Sequence, residues 1–145
     1  MANDLSFLAT RMASYAKTVE RNSTVVVREA AKAIAPILVF ATPVDTSRAR
    51  ANWQAGIGHI PSDIKFGKPD KPPSPDYGGN AAVAAIIGTA NSYAGGSYLA
   101  IANNAPYIVR LNEGWSGQAP AMFVQRAVAV GLTKIRGFRI LSNGN

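Results

Sequence analysis

From Leu5 onward, apolar side chains return at steps of three and four: Leu8, Met12, Tyr15 and Val19 follow. With about 3.6 residues per helical turn these five share one face, which predicts an amphipathic helix. Asn3 or Asp4 caps its start, the acid suiting the helix dipole, and Arg21-Asn22 closes it. Ser23 then caps a second helix, whose stripe is Val27, Ala30, Ala31, Ile34, Ile37, Leu38 and Ala41. Pro36 falls inside that stripe. It lacks a backbone donor and crowds the preceding turn, so a kink is expected near residues 32–35. Thr42-Pro43 stops the helix. A chain that opens on two such helices must fold its remainder against them.

The remainder is shorter pieces. Asp45 or Thr46 caps a helical turn over residues 47–52, and a strand begins at Trp53. Across residues 59–79 the periodicity disappears among Pro61, Pro69, Pro72, Pro73 and Pro75, which predicts a long loop or arm. Lys65, Lys68 and Lys71 lie in it, partly balanced by Asp63, Asp70 and Asp76. Fully extended it would reach roughly 70 Å, against a radius of gyration of about 15 Å for such a domain, far enough to lie across a neighbouring subunit. Residues 80–90 read as a helix, Gly95-Gly96 as a turn, and residues 97–102 as a strand with Leu99 and Ile101 on one face. Asn103-Asn104 is a turn, and Pro106 opens a short helix over residues 107–111. Pro120 sits in the first turn of a last helix carrying Met122, Val124, Ala127, Val128 and Leu132. Residues 135–141 read as a strand or extended tail. The expected architecture is α+β in one domain, residues 1–145: long N-terminal helices packed on a small β-sheet, a C-terminal helix, a Pro-rich arm at 59–79 and a basic C-terminal segment at 134–145.

A chain of 145 residues buries roughly 68–70% of its unfolded surface and needs no covalent staple. It has no cysteine, which excludes disulfides, thiolate metal sites and a cysteine nucleophile. No secretory leader or membrane span is expected, so the reading is a soluble protein made inside the cell. The net charge is +7, and the charged residues after Glu113 are all basic: Arg126, Lys134, Arg136 and Arg139. Such a surface meets nucleic acid, an acidic partner or water.

Catalytic chemistry finds few residues to use. His59 is the only histidine and stands beside no nucleophile motif. The eight acids are scattered, so neither a magnesium site nor a carboxylate pair is indicated. Gly56-Ile57-Gly58 lacks the third glycine of a dinucleotide loop, and no Gly-Lys-Ser/Thr is present. No enzyme activity, cofactor or metal is expected. Asp45 reads as a helix cap, and Glu113 as the partner of Arg48, Arg50 or Arg110, since arginine grips a carboxylate with two prongs. Trp53, Tyr98, Tyr107 and Trp115 read as core or interface aromatics.

Two dense runs remain. One is Thr42-Pro43-Val44-Asp45-Thr46-Ser47-Arg48, followed by Asn52-Trp53. The other is Asn103-Asn104-Ala105-Pro106-Tyr107, then Leu111-Asn112-Glu113-Gly114-Trp115-Ser116, then Gln118-Ala119-Pro120. In this order they resemble the signature blocks of the neck and tail-completion proteins of tailed bacteriophages, the HK97 gp10-like family. The resemblance covers most of the chain from Leu5 to Leu132. Ser47 stands where the family carries a glycine, Asn52 where it carries a serine, and Asn112 is an extra residue before Glu113.

The resemblance implies a non-enzymatic structural virion protein at the head–tail junction. It would form a cyclic homo-oligomeric ring, of six subunits in the family's setting, joining head-closure and tail components, with possible non-specific contact with passing double-stranded DNA and no membrane. Head-to-tail contacts close into rings when the rotation per subunit closes. In this reading Asp45, Arg48 and Trp53 lock the exit of the second helix. Asn104, Tyr107, Glu113 and Pro120 set the turn and helix start packed against it, with Arg50, Arg110 and Trp115 as further structural or interface candidates. Lys65, Lys68, Lys71, Arg136 and Arg139 face a partner or DNA. Two other readings stay open: a tail terminator that caps the tail tube, and a basic nucleic-acid-binding protein, whose affinity would fall steeply with salt.

Overall fold

Where two helices were expected, the computed structural model has one: α1 (Asn3–Ala41), 39 residues long. It describes residues 3–44, 47–65, 76–117 and 119–137. The break expected at Arg21-Asn22-Ser23 does not form. The hydroxyls that favour caps instead bond back to the preceding turn: Thr10 Oγ1 donates to Ser6 O at 3.0 Å, Thr18 Oγ1 to Ser14 O at 3.1 Å and Thr24 Oγ1 to Glu20 O at 2.9 Å. Asn and Ser cost only tenths of a kcal/mol each inside a helix, about 0.7 at most, too little to end one already propagating. α1 also runs on through Pro36. The missing donor is tolerated because Ala35, Leu38 and Val39 around it are at 0–3% exposure, the most deeply packed turn of α1.

After Thr42-Pro43 come α2 (Ser47–Ala51) and β1 (Trp53–Ile57), then α3 (Gly79–Ser92), β2 (Leu99–Asn103), α4 (Ile108–Asn112) and α5 (Phe123–Thr133). The fold is α+β. β1 and β2 pair antiparallel with Trp53 opposite Asn103 and Ile57 opposite Leu99, and Gly58 N extends the ladder to Tyr98 O at 2.9 Å. A two-stranded ribbon is marginal alone; here α3 packs on β1, and α3 and α5 both pack on α1. The core they enclose is Ala35, Leu38, Val39, Trp53, Ala82, Ile86, Phe123 and Ala127.

Three local expectations change. Pro120 precedes α5 rather than opening it, because Met122 adopts the left-handed region (φ 63°) and the helix starts at Phe123. Residues 134–137 form turns, not a strand, and the rest of 135–141 lies outside the described residues. The arm is tied at both described ends. Residues 61–65 are held by three side chains of the sheet and its flanks, as detailed below. Asp76 caps α3, its Oδ2 accepting from Asn80 N at 2.7 Å and its Oδ1 from Gly78 N at 3.2 Å. Lys68 and Lys71 lie outside the described residues, as do Asp45 and Arg139.

α5 can approach α1 closely because Gly131 has no side chain. A Cβ there would lie 2.5 Å from Ile34 Cγ1 and 2.9 Å from Ile34 Cα. Gly88, exposed within α3, has nothing within 4 Å of such a Cβ. The same substitution should therefore act with opposite sign at the two sites. Gly88→Ala should stabilise by about 0.5–1 kcal/mol through helix propensity. Gly131→Ala should destabilise by about 1–3 kcal/mol through overpacking. Urea unfolding of both variants checks the pair.

Candidate assembly surface

The corner after α1 is closed by hydrogen bonds that turn on one hydroxyl. Thr42 is 1% exposed; its Oγ1 donates to Leu38 O at 2.9 Å and accepts the indole Nε1–H of Trp53 at 2.8 Å. A threonine hydroxyl can do both at once, so neither the last turn of α1 nor the buried indole is left unpaired. Arg50 serves the other carbonyls of that helix end. Its Nη2 donates to Phe40 O and to Thr42 O, both at 3.2 Å, its Nη1 to Asp76 O at 3.3 Å, and the guanidinium sits 5.2 Å from the Phe40 ring centroid. Burial lowers the Arg50 pKa, and the nearby Asp76 and Tyr77 push it back up. Trp53 thus ties the start of β1 to the helix exit through Thr42, whose carbonyl Arg50 holds. Arg48 instead places its guanidinium 5.8 Å from the Tyr107 ring centroid, and its carbonyl accepts from Asn52 Nδ2 at 2.6 Å.

The late block meets this corner directly. Besides pairing with Trp53 across the sheet, Asn103 donates from Nδ2 to Ala49 O at 2.6 Å and accepts from Ala105 N at 3.0 Å. Asn104 Nδ2 reaches Pro61 O at 2.8 Å and Asp63 O at 3.2 Å. Gln54 Nε2 also donates to Asp63 O, at 2.6 Å, and Asn52, fully buried, accepts Lys65 N on its Oδ1 at 2.7 Å. Amide side chains thus anchor residues 61–65 as a third, irregular layer beside the sheet. The side chain of Lys65 is left exposed, as is that of Arg136.

Tyr107 stands at the start of α4, its carbonyl accepting from Leu111 N at 3.1 Å, while Asn112, the extra residue of the second block, sets the start of α5. Its Oδ1 accepts from Val124 N at 3.0 Å, its carbonyl from Met122 N at 2.6 Å, and its Nδ2 donates to Gln125 Oε1 at 3.0 Å. It caps α5 from the end of α4. Glu113 is exposed and forms no ion pair with Arg48, Arg50 or Arg110; the one ion pair among the described residues is Lys32–Glu29 at 3.4 Å. The three candidate arginines lie over rings instead, Arg110 at 5.2 Å from the centroid of Trp115. Trp115 and Tyr98 are exposed at 72% and 53%, while Trp53 belongs to the core.

His59 is exposed, with Nδ1 3.2 Å from Ile57 O. Among the described residues no three of His, Asp or Glu come together as metal ligands. No described helix is long and apolar enough to cross a membrane. An open groove of about 330 Å³ between α1 and α5 is lined chiefly by Ile37, Phe40, Phe123, Ala127 and Val130, with Arg126 at its side. Known protein families, characterised proteins and solved structures offer no match to this chain.

The largest departure from expectation is the N-terminal half of α1. Leu5, Leu8, Met12 and Tyr15 form the apolar face of a helix expected to pack on the rest of the domain, yet they are 53–76% exposed, and every residue from 5 to 17 is exposed. This half of the helix projects from the domain with its apolar stripe uncovered. The periodicity was sound, but the domain ends before it reaches the stripe.

The corner predicts a measurable coupling. Thr42→Val leaves the buried indole N–H unpaired and should cost about 1–3 kcal/mol. Trp53→Phe should cost a similar amount, and the double variant should cost clearly less than the two together; a double-mutant cycle by urea unfolding measures the difference. At the other cap, Asn112→Ala should cost about 0.5–2 kcal/mol. Glu113→Ala should leave monomer stability within about 0.5 kcal/mol, measured in the same way.

Proposed function

We propose that this chain is a structural subunit of the head–tail junction of a tailed bacteriophage, a neck or tail-completion protein that acts by binding as one member of a closed ring. The observation that supports this most is the union of the two signature blocks. Trp53 pairs with Asn103, Asn103 holds Ala49, and Arg48 covers Tyr107. Runs far apart in the sequence thus form one connected unit, whose polar atoms serve backbone geometry rather than a substrate. A scaffold with its signature spent on internal bracing suits a part that must hold shape while its neighbours bind. The projecting apolar helix and the +7 charge suit contacts with further copies and with acidic protein or DNA surfaces.

In this reading the protein belongs to the virion, with six copies as the number the family setting implies. Quantitative mass spectrometry of purified virions of the phage that encodes it should find it at a low, ring-like copy number. Cryo-EM of the neck should place it between head-closure and tail components. Its absence from mature particles overturns the reading.

A further inference from the structure

We infer that the projecting half of α1 is a coiled-coil element that packs against the same stripe of a second copy of this chain. The inference names a surface on which ring neighbours would meet and to that extent rests on the proposed function, although the pairing itself needs only this chain.

The spacing is the first ground. Leu5, Leu8, Met12, Tyr15 and Val19 follow steps of three, four, three and four. This is the narrow two-in-seven seam of helix pairing; a helix lying on a globular core shows a wider stripe. The positions beside the seam are small on one side, Ala9 and Ala16, which lets a second helix come close. On the other side Arg11 is held in place. Its guanidinium lies 5.7 Å from the Phe7 ring centroid and 5.8 Å from that of Tyr15, and its Nη2 donates to Tyr15 Oη at 3.2 Å. The seam's edge is therefore ordered before any partner arrives, which lowers the entropic cost of association.

Direction is the second ground. At about 100° per residue, the seam points roughly 140° around α1 from the buried residues Ala31, Ala35, Leu38 and Val39. The seam does not continue the core face, so it turns away from the chain's own domain.

Area is the third. Leu5, Leu8, Met12 and Tyr15 are 76%, 53%, 63% and 56% exposed. With about 200 Å² for a large apolar side chain, they present on the order of 500 Å². That is in the upper part of the range for the largest apolar patch of a monomer, about 300–600 Å². Two such faces together bury about 1,000 Å², the area a specific interface must reach. A second copy thus supplies both the matching periodicity and sufficient area.

The cysteine-free sequence permits a direct test on the full-length chain. Sedimentation across a concentration series should show self-association of the wild type. Leu8→Asp with Met12→Asp should weaken it at least about a hundredfold, equivalent to about 2.7 kcal/mol, while circular dichroism keeps the folded spectrum, since neither side chain touches the core. Met12→Cys should form an inter-chain disulfide on oxidation, and Thr10→Cys, on the opposite side of α1, should not. Wild-type oligomers unaffected by the Asp pair overturn the inference and leave the ring reading standing, because virion composition tests that reading separately. A wild type that stays monomeric throughout overturns the inference. So does a monomer whose Met12→Cys thiol is shielded from labelling reagents, which would show the chain covering its own stripe.

Discussion

The architecture hangs on the bond between the Trp53 indole and the Thr42 hydroxyl at the exit of α1. A long helix fixes only an axis; the chain leaving it can set off in many directions. Thr42 is bound to the last turn through Leu38 O while it holds Trp53 Nε1. The first residue of β1 is thereby fixed relative to the end of α1, and the strand runs on against α3. Once Trp53 is placed, its ring joins Leu38, Val39 and Ile86 in the core, and its backbone sets the register with Asn103. Everything after the corner is positioned from there. The bond is also costly to lose from one side only, because a buried donor without a partner keeps its desolvation penalty.

A sheet of two strands leaves many backbone groups without a ladder partner. This chain meets the shortage with amide side chains. Asn52, Asn103, Asn104, Asn112 and Gln54 each bond to backbone atoms of a different segment. An amide carries both donors and an acceptor, so one residue can close a turn and reach across to another segment. Asn103 does this literally, accepting from Ala105 N and donating to Ala49 O. Because an amide bears no charge, such a brace can lie fully buried, as Asn52 does, without the desolvation cost that a carboxylate or ammonium would incur. The arginines around them complete the pattern: Arg50 caps carbonyls, and Arg48, Arg50 and Arg110 lie over rings.

Period and turn chemistry made most elements legible from sequence: both strands, the short α2 and α4, and α3 all fall where Gly, Pro and apolar spacing put them. Two kinds of feature were not legible. The first is continuity. Asn22 and Ser23 are cap-forming types, but a residue type alone does not tell whether a hydroxyl closes a helix or bonds back to it, as Thr24 does. The second is who covers what. Leu5, Leu8, Met12 and Tyr15 announce an apolar face equally well whether the cover is their own domain or another molecule. In the candidate site, Trp53 was recognisable as an anchor, and Asp45 falls outside the described residues. Asn112 was not recognisable, because it caps a helix across an intervening loop, and capping signals are local in sequence. Glu113 misled because a carboxylate in a chain offering Arg48, Arg50 and Arg110 suggests a pair that the fold does not bring together.

The exposed half of α1 raises its own physical question, since a segment of this length would be a marginal helix by itself in water. Helices shorter than about 12–15 residues rarely persist alone, the obstacle being nucleation rather than growth. Here nucleation is already provided: the packed half, from Ala31 to Ala41, is held by α3, α5 and the Thr42 corner, and the N-terminal turns need only propagate from it. The back-bonding of Thr10 and Thr18 adds no cap that would stop the propagation. An unsupported helix can therefore stand ready without drawing on the core for contacts. Its stripe and the core face lie on different sides of one rod, so substitutions can weaken the first and spare the second. A chain built this way keeps its fold and its exposed stripe as separate variables, joined only through the stiffness of α1.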